Sequence, residues 1–218
     1  MNIGILIGEF KDLKNWELEI IKGILNHPSL ELSVLIQDGR VGLENPLNTK
    51  NRFQRLLNSK NIFGKTLFHL QSRVETKLFP RKHPSQKEEI IATLTRLPLL
   101  KLKPQRKGYF DIFSEEDVQD VIPYKLDILL RHEFNIIRGT LLEVPKYGIW
   151  SFHHGDNRIN RGGPPGFWET LLKEPYIGVT LQQLTPKLDG GLIIDRAYFN
   201  RHWSQIKTRN DALEASVS

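Results

Sequence analysis

The residues with the most chemistry in this chain stand together in Gly148-Ile-Trp-Ser-Phe-His-His-Gly-Asp-Asn157. An apolar run leads into two histidines, an aspartate and an asparagine, so ionisable and hydrogen-bonding groups gather at the end of what reads as a buried strand. Open α/β sheets place their ligands at such strand ends. Imidazole and carboxylate groups there suit proton transfer. They also admit a metal held by His153, His154 and Asp156. Adjacent strand residues point to opposite faces, so that set requires the strand to end before His154. A loop follows, Arg161-Gly-Gly-Pro-Pro-Gly166, too rich in proline to cradle a phosphate, and then Phe167-Trp-Glu169 opens a helix. Trp168 is expected to pack on that helix whatever the function. A second polar segment, Leu188-Asp-Gly-Gly191, comes after Gly178-Val-Thr180. Taken alone, Asp189 reads as a turn former.

Positioning these groups is the task of the surrounding elements. Asn2–Ile7 is a short apolar run ending at Gly8, the pattern of a buried parallel strand. Trp16, Ile20, Ile21, Ile24 and Leu25 recur at helical spacing, and Leu32–Ile36 reads as a second strand. This βαβ opening predicts a parallel sheet with right-handed crossovers. Gly4 and Gly8 do not form the GxGxxG fingerprint, which argues against a nicotinamide enzyme. Ser114-Glu-Glu-Asp117 predicts a helix start with a capping box. Leu126–Leu130 reads as a strand, Arg138–Leu142 as part of a helix, and Gly148–Phe152 as the strand carrying the histidines. A helix from Pro165/Gly166 to Lys173 and strands over Ile177–Leu184 and Leu192–Phe199 complete a domain over about residues 1–200. Residues 43–97 read as a basic, partly helical insertion. Thr208-Arg-Asn-Asp211 looks like the start of a C-terminal helix over 201–218, in a truncated chain or a bare catalytic domain. The fold class is α/β: a mostly parallel, twisted sheet flanked by helices, its cleft at the carboxyl ends of the strands.

Among 218 residues there is no cysteine, which excludes a disulfide framework, zinc–thiolate sites and thiol catalysis. The N-terminus lacks a basic leader, and no apolar run approaches the ~18 residues of a membrane span. A cytoplasmic protein with no membrane partner is expected. Net charge is +6, but residues 50–107 carry fifteen lysines and arginines against three glutamates, a local charge of +12. Such asymmetry suggests an anionic partner, while RNA-stacking motifs of the Lys-Gly-Phe type are missing.

The two polar blocks resemble the catalytic half of the 10-formyltetrahydrofolate-dependent formyltransferases, whose members act on glycinamide ribonucleotide, methionyl-tRNA or amino sugars. The resemblance rests on Ser151-Phe-His153-His-Gly155, Arg161-Gly162, Pro164/Pro165, Trp168, Gly178-Val-Thr180 and Asp189-Gly-Gly191. It implies a Rossmann-like fold and formyl transfer from 10-formyltetrahydrofolate to a primary amine, without metal or covalent intermediate. It assigns His153 as a donor to the developing oxyanion and Asp189 as the carboxylate that holds His153 across the cleft. Ser151 stands where the family has asparagine, a donor of longer reach, so His154 or Asn157 is expected to supply the missing hydrogen bond. The pterin is expected against the backbone of Leu129, Leu130 and Arg131 and the loop of Leu188, Gly190 and Gly191, with Arg161 and Gly162 in the substrate loop. The basic segment favours an acceptor with a phosphate handle, a nucleotide-linked amino sugar before a tRNA or a carrier-bound aminoacyl group. A catalytically silent domain that binds folate or a partner is the other reading that Ser151 leaves open.

Overall fold

The computed structural model describes residues 1–40, 62–80, 86–159, 163–187 and 190–217. In chain order its elements are β1 (Asn2–Ile7), α1 (Asn15–Asn26), β2 (Glu31–Asp38), α2 (Ile62–Leu78), α3 (Lys87–Leu94), β3 (Leu99–Leu102), β4 (Gln105–Lys107) and β5 (Phe110–Ile112). There follow α4 (Glu115–Val121), β6 (Ile128–Arg131), β7 (Ile136–Arg138), β8 (Ile149–His153), α5 (Phe167–Leu171), β9 (Tyr176–Gln183), β10 (Leu192–Asn200) and α6 (Gln205–Ala215).

Seven strands form one sheet in the order β10-β9-β8-β6-β1-β2-β3. The strands from β8 to β3 are mutually parallel, and β9 runs antiparallel to both β8 and β10. The carboxyl ends of the five parallel strands share one edge, so Asp38, Arg131 and His153 lie along it. Continuous apolar runs make this arrangement stable, because central parallel strands bury both faces. On one face Ile5, Ile7 and Leu130 pack with Leu18, Ile21 and Ile24 of α1. On the other, Leu6, Ile36, Leu129 and Ile149 pack with Val118 and Val121 of α4 and with Leu141. Gly4 is required inside β1, since a Cβ there would stand 2.7 Å from Leu126 Cδ1.

The predicted capping box is present: the Asp117 amide donates to Ser114 Oγ and the Ser114 amide to the Asp117 carboxylate, each at 3.0 Å. Elsewhere the structure departs from the sequence reading. Arg138–Leu142 is the end of β7 followed by a single 3-10 turn over Thr140–Glu143, because Gly139 adopts φ 90° and breaks the run. The last part of the basic segment belongs to the sheet crossover: Ile90 and Leu94 of α3 are buried beside Ile21 and Ile24. The C-terminal helix is capped by Ser204, whose hydroxyl accepts from the Lys207 amide at 3.2 Å. Thr208 instead sits inside that helix and donates to Ser204 O at 2.8 Å.

Helix α2 is bolted to α6 through Glu75. Its buried carboxylate accepts from Ser204 Oγ at 2.5 Å, the Ile206 amide at 3.1 Å and Gln71 Nε2 at 2.7 Å. One turn on, Asn210 Nδ2 donates to Phe79 O at 3.0 Å. Among the described residues no helix is long and apolar enough to cross a membrane.

Candidate active site

Strand β8 sorts its polar residues onto two faces. Ser151 pairs with Arg131 of β6 and Gln182 of β9, and His153 pairs with Thr180, so these side chains share a face. Phe152 and His154 turn the other way, toward Trp16 of α1, whose ring lies 5.7 Å from Phe152 and 4.9 Å from His154.

The hydroxyl of Ser151 is fully buried and engaged by a guanidinium. Arg131 donates to Ser151 Oγ from Nε at 3.1 Å and from Nη2 at 2.8 Å, and its Nη1 donates to Phe134 O and Asn135 O, each at 3.2 Å. Burial draws the Arg131 pKa down, against the raising influence of Glu133 and Asp111. The network continues through Asn135, whose backbone and side-chain amides donate to Asp111 at 2.8 Å and 3.1–3.2 Å. Asp111 in turn accepts from Arg40 at 2.6 and 2.9 Å. Burial pushes the Asp111 pKa up, but Arg40 and Asn135 prevail and hold it at about 2. Ser151 is thus one end of a polar spine along the carboxyl edge of the sheet, and its lone pairs serve Arg131.

The expected substitutes for a missing donor are also placed. His154 bonds Ser216 Oγ through Nε2 at 2.8 Å, on the face away from Ser151. Burial, with His153 and Lys14 nearby, lowers its pKa to about 4 and keeps it neutral. Asn157 accepts from Arg196 Nη2 at 2.9 Å and donates to Gln182 Oε1 at 3.3 Å, so its carboxamide is oriented by β9 and β10. Asp156 is clamped by Arg158 at 2.7 Å and by Tyr198 Oη at 2.8 Å, apart from either histidine. Among the described residues no group of three His, Cys, Asp or Glu side chains is placed to hold a metal.

His153 faces a small cavity of about 20 Å³ lined also by His154, Gly155, Gly163, Pro164, Gly166, Trp168 and Glu169. The loop takes this shape because Gly163 and Gly166 adopt φ 94° and 73°, conformations that other residues rarely reach. At Gly166 a Cβ would meet the Thr208 methyl at 3.0 Å, so α6 packs directly under the turn that starts α5. Gln205 Nε2 secures the same turn by donating to Pro165 O at 2.8 Å.

Of the residues expected to hold a pterin, Leu129 and Leu130 lie inside β6, with side chains in the core and backbone paired to β1 and β8 on either side. Their backbones are paired within the sheet, and Arg131 is turned inward to Ser151. Gly190 and Gly191 lie against β9, with Gly190 O accepting from Thr185 Oγ1 at 3.0 Å. A Cβ at Gly191 would stand 2.8 Å from Gln182 Oε1. Arg161, Gly162, Leu188 and Asp189 lie outside the described residues. The β9–β10 connection leaves the sheet beside Ile149, where the Leu184 amide donates to Ile149 O at 2.7 Å, at the opposite end of β8 from His153.

No family model matches the chain. In sequence it is 32% identical over 83 residues to a methionyl-tRNA formyltransferase of Bacillus velezensis. That stretch is 38% of this chain and 26% of the relative, so only about a quarter of the relative's length is matched. In structure it resembles glycinamide ribonucleotide transformylase 1 from Symbiobacterium toebii, with TM-score 0.61 and 14% identity, covering 99% of this chain and 82% of that one. A formyltetrahydrofolate deformylase from Burkholderia mallei gives TM-score 0.56 at 11% identity, covering 99% and 62%. The chain is similar to formyltransferases in part of its sequence and in its fold. It shares the formyltransferase fold across almost its whole length, as the order of its polar blocks implied.

Gln182 and Arg196, which adjoin the site, were missed in the sequence, and Thr180 was marked only as part of the Gly178-Val-Thr180 block, without its contacts. Arg196 Nε donates to Thr180 Oγ1 at 3.2 Å, and Thr180 Oγ1 donates to Gly155 O at 3.4 Å. The alternation of Thr180 and Gln182 along β9 was the available signal, but only the register with Ser151 and His153 gives it meaning.

Proposed function

We propose that this chain is the catalytic unit of an N-formyltransferase that moves the formyl group of 10-formyltetrahydrofolate to a primary amine, most favourably on a nucleotide-linked amino sugar. The observation that supports this best is the position of His153, at the carboxyl end of β8 on an edge whose far end is partly cationic. Four strand spacings of about 4.8 Å separate β8 from β3, roughly 19 Å. At that far end Lys101 and Lys11, the latter paired with Glu9, help to line a cavity of about 410 Å³ with Gln37 and Asp38. A diphosphate held there leaves about the length of an extended nucleotide-sugar between handle and reacting amine.

In this reaction the amine nitrogen forms a bond to the formyl carbon, the bond from that carbon to N10 breaks, and one proton passes from the amine to N10. The folate supplies the activated formyl group. Gly191 is suited to hold its ring, since backbone amides and carbonyls read a heterocycle's edge without adding charge. His153 donates to the developing oxyanion or relays the proton, and such groups contribute most of the rate in acyl transfer.

The sequence relatives, named as methionyl-tRNA formyltransferases, favour a second reading with aminoacyl-tRNA as acceptor. A tRNA engages many phosphates and loses affinity steeply with salt, whereas a single diphosphate does so weakly. Formyl transfer from 10-formyltetrahydrofolate to nucleotide-linked amino sugars and aminoacyl-tRNA, with His153→Ala as control, tests the proposal. Turnover abolished by that change supports it; no turnover by the native chain with any amine overturns it.

A further inference from the structure

Glu169 is a carboxylate buried to 5% exposure on a helix of five residues, and the reading above gives it no task. Its surroundings are specific. The position a Cβ would take on Gly155 lies 3.2 Å from His153 Nε2 and 3.8 Å from Glu169 Oε1. Imidazole and carboxylate therefore converge on one glycine and line the same cavity of about 20 Å³. A cavity needs roughly 10–15 Å³ to hold one water, so this one has room for a single solvent molecule between two groups that stand at most about 7 Å apart, the sum of the 3.2 and 3.8 Å distances. The approach is built in: the Glu174 amide donates to Glu169 O at 2.9 Å, and the φ 73° turn at Gly166 sets the start of α5.

We propose that Glu169 is the positioning residue for His153, accepting from Nε2–H through one water. Buried carboxylates are stabilised by hydrogen bonds, and the bridged imidazole adds one to the interactions that Glu169 already makes. Holding Nε2 protonated fixes the tautomer and leaves Nδ1 to exchange the proton with the acceptor amine. A carboxylate at this distance also favours the imidazolium formed as the proton is taken. The catalytic consequence rests on the formyl-transfer reading; the coupling of the two side chains does not.

The experiment titrates His153 by imidazole nitrogen NMR in the native chain, Glu169→Gln and Glu169→Asp. Loss of the carboxylate should lower the His153 pKa by about one unit and mix the tautomers, with Glu169→Asp between the two. Outer partners of this kind typically affect activity by about 10- to 100-fold, so kcat for amine formylation should fall by that factor in Glu169→Gln with its alkaline limb unchanged and its acidic limb shifted down. If Glu169→Gln does not fold, Glu169→Asp and Gly155→Ala, whose new methyl would crowd Nε2, carry the same NMR readout. An unchanged His153 titration and tautomer in a folded variant overturns the proposal. Coupling seen by NMR without turnover on any amine would retain it and remove the formyl-transfer reading instead.

Discussion

Ser151→Ala tests whether the serine in the strand-end motif belongs to the catalytic chemistry or to the sheet. The change deletes the acceptor for two of the four hydrogen bonds of the Arg131 guanidinium, at 3.1 and 2.8 Å, and leaves the two to Phe134 O and Asn135 O. A hydrogen bond from a charged donor contributes about 1.5–3 kcal/mol. Because both share one oxygen, the expected loss is about 3 kcal/mol rather than twice that figure. For a chain of this size that lowers Tm by roughly 6–12 °C. Urea denaturation followed by tryptophan fluorescence measures the loss, and combining Ser151→Ala with Arg131→Met should show a coupling of about 2 kcal/mol. Activity of the folded variant should change only a few-fold. A stability loss under about 0.5 kcal/mol together with a 10²–10³-fold fall in kcat, the usual effect of removing an oxyanion donor, would refute the structural role and return Ser151 to the reaction.

Asp111 is held at about 2 by Arg40 and Asn135, below its unfolded value near 3.9; its contribution of about 2 kcal/mol should be complete above pH 4 and vanish as the pH falls toward 2, and Asp111→Asn should flatten that part of the acid-unfolding curve. His132 and His154 are kept neutral chiefly by burial, with pKa values of about 3 and 4, so below pH 6.5 the unfolded chain binds protons that the native chain refuses and stability should fall with pH. His132→Phe should remove the share due to His132, and because neither ring nitrogen of His132 has a hydrogen-bond partner among the described residues, thermal melts should show the variant as at least as stable as the native chain at pH 7. Neutralising Lys101 and Lys103 should raise KM for a phosphate-bearing acceptor several-fold and leave that for the folate unchanged; equal effects on both would mark those lysines as plain surface.

The first βαβ unit was legible because its apolar spacing changes cleanly from strand period to helix period and back, with Leu18 and Ile21 facing Ile5 and Ile7. The strand-end histidines were legible for the same reason: a buried run that stops at polar residues is a local signal. What sequence could not convey is register. Ser151 meets Arg131 across twenty residues, and nothing local distinguishes that contact from a donor aimed at substrate. The antiparallel turn of β9 was hidden too, because Ile177–Leu184 is equally apolar in either direction. Helix α3 disappeared into a basic stretch whose charges masked Ile90 and Leu94. The strand alternation that separates His153 from His154 was legible, but the partner of His154, Ser216, was not.

The clamp at Glu75 has a consequence for how the chain folds. Its bonds to Ser204 and Ile206 join positions 129 and 131 residues apart, about the range over which β1 pairs with β6, Ile3 beside Ile128. The entropy of bringing ends together grows only slowly with separation, so closing the centre of the sheet and docking α6 on α2 are steps of similar cost. With α6 comes the support beneath Pro165 and Gly166. The loop that faces His153 is therefore held in shape only once α2 and α6 have met, so the cavity depends on a contact made far from it in the chain.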